Sequence, residues 1–307
     1  MSESVIVNKI IVGGIPVDVH SHRDGSNSSL PVHALFLLHG RTLSTESVVP
    51  IAKSILAASY APGVNRKRDL IIIAYARSSQ PWKTSCRSPA QPRMAQGPCK
   101  EQPSTCVSHF TDLRISLLTS LIHRSVDMYT IQTGTAHDLT FLIDHIPAYI
   151  YPQVERNIVE WGAAGISLGG HSVWIALTRD PRIQFGIPII GCPDYTKLIS
   201  QRAQICGVPL EAPYYPLHLK AYVDAYDPAS FAFRENDATN PFLGKRILVL
   251  SGAKDTLVPW SASQEFVEGL EVGDGVKKVV LEENAGHECT PSMIREAGLF
   301  VIDWLAK

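Results

Sequence analysis

Gly165-Ile166-Ser167-Leu168-Gly169-Gly170 (GISLGG, residues 165–170) places one serine between glycines two positions either side. It follows directly on the apolar run IVEWGAAGI (158–166) and precedes HSVWIALTRD (171–180). Glycine weakens a strand, so a core strand gains nothing from this spacing. A serine that must attack a carbonyl has a different need: an exposed hydroxyl on a rigid backbone. A tight strand-to-helix turn meets it but crowds the positions two before and two after the serine, and glycine relieves that crowding. The helix that follows also begins beside the hydroxyl, so its unbonded N–H groups and positive end lie close by.

Outward from this point the chain alternates. On the N-terminal side, residues 4–22 read as a hairpin with two β-branched runs flanking Gly13-Gly14. ALFLLHG (34–40) and DLIIIAYA (69–76) are short continuous apolar runs of the kind buried on both faces of a parallel sheet. Between them STESVVPIAKSILAAS (44–59) has helical spacing, with Ser44 as candidate N-cap and Pro50 predicting a start near that residue. GTAHDLTFLIDHIPAYI (134–150) predicts a helix that stops before or kinks at Pro147. On the C-terminal side follow a strand IQFGIPIIG (183–191), a strand KRILVLSG (245–252), a helix WSASQEFVEGL (260–270), a strand KKVVLEE (277–283) and a closing helix TPSMIREAGLFVIDWLA (290–306). Strand–helix alternation predicts an α/β fold, a mostly parallel central sheet with helices on both faces, as a single domain over 1–307.

Two stretches break the rhythm. Residues 193–243, rich in proline and aromatics, follow the sixth strand and are read as a lid over a pocket. Residues 77–126 form an atypical insertion whose first half holds prolines, three cysteines and scattered basic residues without apolar periodicity. They bury too little to offset ordering entropy, which predicts poor order through about residue 107, with RISLLTSLIH then forming a short helix.

The motif in its setting resembles the α/β-hydrolase fold superfamily, esterases and prolyl-oligopeptidase-like hydrolases included, from about residue 30 to the end. That resemblance implies partners in the order serine, acid, histidine. SGAKDTLVP (251–259) puts Asp255 on a turn just past a strand, in a G-x-x-D-x-x-V-P setting similar to the family's acid loop; AGHECTP (285–291) puts His287 past the last strand. Asp194 in GCPDY is a rival acid at another strand end, where some relatives place it. The implied roles are Ser167 as nucleophile, His287 as base and then acid, and Asp255 as its orienting carboxylate. The implied oxyanion donors are the backbone N–H groups of Leu168 and Arg41, with Thr42 in reserve, while His39 is structural. The fit fails in one place: the family often follows the second buried strand with a D-x-R-x-x-G turn, and here AYARSSQPWK (74–83) opens the atypical insertion instead, sequence that is an insertion or foreign to the fold, such as a translated intron.

Other readings narrow the function. A formal charge of −1 gives no electrostatic case for nucleic acid or an anionic membrane. No run is long enough to span a bilayer and no leader is visible, so the expected compartment is the cytoplasm. Six cysteines without a C-x-x-C pair read as free thiols. His137, Asp138, Asp144 and His145 lie on an amphipathic helix and are not read as a metal site; no cofactor is expected. Trp161 and Trp174 are read as core. The expectation is a serine hydrolase for an ester-like bond of a small molecule, with lactone, thioester and peptide open. A non-catalytic binding protein and a lyase or acyltransferase using the same residues are the alternatives.

Overall fold

The computed structural model describes residues 4–26, 28–75 and 106–307, with side chains of the last range from 125 onward. The chain opens with strands β1 (Val5–Val12) and β2 (Ile15–His22), joined at Gly13 and Gly14, whose φ values of 54° and 88° need glycine. A short turn of helix α1 (Arg23–Ser26), strand β3 (Val32–Leu38), helix α2 (Thr45–Ser59) and strand β4 (Asp69–Tyr75) follow. Then come helix α3 (Cys106–Ile150), strand β5 (Ile158–Ile166), helix α4 (Leu168–Arg179) and strand β6 (Ile183–Ile189). Helices α5 (Tyr195–Cys206) and α6 (Leu217–Tyr226), strand β7 (Arg246–Gly252), helix α7 (Trp260–Gly269), strand β8 (Val276–Glu282) and helix α8 (Pro291–Leu305) complete the fold.

The strands form one sheet in the order β1-β2-β4-β3-β5-β6-β7-β8. The β1/β2 and β2/β4 pairs are antiparallel and every later pair is parallel. All seven residues of β3 and of β4 are buried, which is why both read as unbroken apolar runs. Their side chains alternate between two cores. Ala34, Phe36 and Leu38 join α3, α4 and α7 on one face. Leu35 and Leu37 join α2 and α8 on the other, around Ile55, Phe300 and Trp304. Trp304 is 1% exposed, stacks on Phe185 at 4.2 Å and lies 4.3 Å from His33. Trp304→Ala is therefore expected to lower stability by about 3–5 kcal/mol, measured by denaturant unfolding.

Three sequence expectations change. The helix opens at Thr45, and Pro50 lies inside it. Ser44 occupies the N-cap position but its side chain makes no capping hydrogen bond. The two helices expected on either side of residue 130 are one helix, α3, which begins at Cys106 and runs through Pro147 to Ile150. In α2 and α3 a proline forfeits one intrahelical bond, yet buried faces such as Ile51, Ile55 and Leu56, or Leu139, Leu142 and Ile146, hold the helix against the sheet. The expected poor order of the insertion falls mainly on residues outside those described. Trp161 and Trp174 are core residues, as expected.

Candidate active site

The turn between β5 and α4 is the centre of the site. Ser167 has φ 55° and ψ −111°, a conformation that costs about 1–3 kcal/mol for a non-glycine residue. The flanking glycines make it feasible. A methyl group on Gly165 would lie 2.5 Å from the carbonyl carbon of Gly169, and one on Gly169 would lie 2.6 Å from Leu38 O. The turn is fixed to the next strand by a hydrogen bond from Ser167 N to Ile189 O at 2.9 Å.

Ser167 Oγ lies 2.8 Å from His287 Nε2. His287 Nδ1 lies 2.7 Å from Asp255 Oδ2. An ionised carboxylate only accepts, so Nδ1 carries the proton and Nε2 presents a lone pair to the serine hydroxyl. The other Asp255 oxygen, Oδ1, accepts from Leu257 N at 2.9 Å and Val258 N at 2.8 Å. Burial alone would raise the Asp255 pKa; the hydrogen bonds from His287 and the two backbone amides outweigh it and hold the carboxyl below its usual value. The three side chains follow β5, β7 and β8, at the carboxyl end of the sheet.

The two loops that carry Asp255 and His287 are stitched together. Ala253 N donates to Glu282 O and Lys254 N to Ala285 O, at 2.9 and 3.0 Å. Gly252 permits this approach, since a Cβ there would lie 2.5 Å from both Ala285 O and Gly286 O.

Structure comparison places the chain beside TT1662 of Thermus thermophilus, with 17% identity, 99% of each chain covered and a TM-score of 0.59. An esterase of Pyrococcus furiosus, Pf2001, aligns at 16% identity over 99% of this chain and 94% of its own, with a TM-score of 0.54. Est1E from Butyrivibrio proteoclasticus aligns at 13% identity over 98% and 99%, with a TM-score of 0.52. The chain has the α/β-hydrolase fold. No protein-family model matches the chain, and no curated protein matches it.

The sequence expectation of a second oxyanion donor falls on the loop after β3. Gly40 packs against the serine turn, where an added Cβ would lie 3.7 Å from Ser167 Cβ. Arg41 and Thr42 come next, Thr42 with φ 63°. His39 Nδ1 donates to Gly40 O at 2.8 Å, a local brace. Leu168 opens α4, so its N–H has no intrahelical acceptor.

The rival acid Asp194 does not meet His287. It caps α5, its Oδ1 accepting from Lys197 N at 2.8 Å. Asp144 pairs with Arg182, and His145 lies against Phe141. Among the described residues no group of three or more His, Cys, Asp or Glu side chains is placed to hold a metal ion. Among them, too, no helix is long and apolar enough to cross a membrane.

Like Gly252, two further supports of the site escaped the sequence reading. His171, four residues past Ser167 on α4, is buried, and its Nδ1 accepts from Cys192 N at 2.8 Å. Burial pushes its pKa down to about 4, so it is neutral and ties the loop after β6 to the serine helix. Gly191 allows that loop to close, since a Cβ there would lie 2.4 Å from the carbonyl carbon of Gly170.

Helices α5 and α6 are joined through Asp227. Its Oδ1 accepts from Tyr129 Oη of α3 at 3.2 Å and its Oδ2 from Tyr195 N at 2.9 Å. Burial pushes the Asp227 pKa from 3.8 up to about 8 against the pull of these bonds. In that window the folded state keeps a proton that the unfolded chain releases, so this carboxyl makes stability fall as pH rises from about 4 through about 8. Asp227→Asn is expected to remove that contribution. The Tm difference between variant and wild type should therefore shift in the variant's favour between pH 5 and pH 8.5, and a pH-independent difference would contradict it.

Proposed function

We propose that the chain is a serine hydrolase that cleaves an ester-like bond of a small molecule through an acyl-enzyme intermediate. The observation that carries this is the continuous relay from Ser167 Oγ through His287 to Asp255, with steps of 2.8 and 2.7 Å. Ser167 Oγ attacks the acyl carbon while its proton passes to His287 Nε2. The tetrahedral oxyanion is met by the N–H groups of Leu168 and Arg41, with Thr42 N–H as the alternative second donor; each such donor stabilises the transition state by about 3 kcal/mol. His287 then returns the proton to the departing alkoxide, leaving the acyl group on Ser167. Water repeats the sequence and frees the acid. Asp255 holds the imidazole in the required tautomer and stabilises its cation without taking the proton.

Residues 193–243 act as the lid that sets specificity in this reading. The fold of the Pyrococcus furiosus and Butyrivibrio proteoclasticus proteins supports a hydrolase, and the name of the former an esterase. Cys192, Cys206 and Cys289 are free, which suits a reducing compartment and a cytoplasmic enzyme. No cofactor enters any step. The test is hydrolysis of p-nitrophenyl esters graded by acyl length. Turnover that disappears in Ser167→Ala is expected; an unchanged rate in that variant would sink the assignment.

A further inference from the structure

Two guanidinium groups stand beside the relay. Arg202, on α5, donates from Nη2 to Leu257 O at 2.8 Å, two residues beyond Asp255. Its Nη1 lies 2.9 Å from Met128 Sδ, and its buried Nε has no hydrogen-bond partner among the described residues. Arg41 is exposed on the loop after β3, next to the Gly40 that packs on Ser167. Among the described residues neither arginine forms an ion pair. Their charges act on each other and on Tyr195, and Asp255 acts on Arg202. Arg202 thus reaches from the second half of α5 to the Asp255 loop, and Arg41 lies on the loop after β3 whose Gly40 packs on the serine turn.

The nearby acids are committed elsewhere. Asp255 is engaged by His287 and by two backbone amides. Asp194 caps α5, and Asp227 is buried against Tyr129 and Tyr195. Burial disfavours the Arg202 charge, and Arg41 disfavours it further. A brace to a carbonyl and a thioether needs no permanent charge. A planar, doubly donating cation kept there matches the fork of a carboxylate.

We propose that Arg202 and Arg41 recognise an anionic carboxylate on the substrate, so that the hydrolysed ester carries a free acid group. This rests on the hydrolase reading. The two arginines determine specificity and take no part in the proton relay through their side chains.

The test compares mono-p-nitrophenyl glutarate with p-nitrophenyl valerate, esters of equal acyl length that differ in the terminal carboxylate. In the wild-type protein kcat/KM for the glutarate is expected to exceed that for the valerate about 10-fold or more. Arg202→Gln should lower this ratio at least about 10-fold, and Arg202→Lys should keep part of it. A wild-type ratio of one or less overturns the proposal while leaving the hydrolase reading intact. So does an Arg202→Gln variant in which both rates fall together at an unchanged ratio, the behaviour of a structural brace. Should that variant not fold, the wild-type ratio and the ratio in Arg41→Gln read the same quantity. Hydrolysis of neither ester overturns the hydrolase reading and this inference together.

Discussion

Replacing His287 by alanine is expected to lower kcat for a p-nitrophenyl ester about 10⁶-fold, and Ser167→Ala to lower it by a similar factor. The double variant should be no slower than either single one. Serine at its ordinary pKa is a weak nucleophile, so the hydroxyl contributes only while Nε2, 2.8 Å away, accepts its proton. Without the base the hydroxyl is inert, and without the hydroxyl the base has no proton to take. In the proposed mechanism the two side chains act as one unit, so their effects are expected not to add. The residual rate would come from the oxyanion donors and from binding. Additive losses in kcat would show that His287 works independently of Ser167.

Asp255→Asn should cost about 10⁴-fold in kcat with little change in fold. The amide oxygen can still accept from Leu257 N and Val258 N, so the loop keeps its shape. The amide nitrogen would then face His287 Nδ1 and donate to it. That forces the proton onto Nε2, where it blocks acceptance from Ser167. Loss of the carboxylate also removes the charge that stabilises the imidazolium. Kinetics and unfolding curves on the same preparation separate this from misfolding. A loss below about 10-fold would mean that another group orients His287.

The parts of the fold legible in the sequence are those decided by local pattern. Continuous apolar runs gave β3 and β4 because both are covered on two faces. Gly165, Ser167 and Gly169 were legible because crowding at a tight turn acts over four residues. Asp255 and His287 were legible only through the family resemblance, since they are 32 residues apart and meet in space. The undivided helix α3 was not legible. A proline in a helix interior forfeits a backbone hydrogen bond whatever surrounds it, and whether Pro50 or Pro147 ends a helix depends on the sheet it packs against. Gly191, Gly252 and His171 were missed for the same reason. Their value lies in the close approach of distant loops, at Gly170, at Ala285 and Gly286, and at Cys192.

The most direct measurement is peptide mapping by mass spectrometry after treatment with a fluorophosphonate, which phosphonylates a serine only when a neighbouring base activates it. The expected result is one stoichiometric adduct on the peptide containing Gly165-Ile166-Ser167-Leu168-Gly169, absent from His287→Ala. No adduct on that peptide in the wild-type protein, or equal labelling in the His287 variant, would contradict activation of Ser167 by His287.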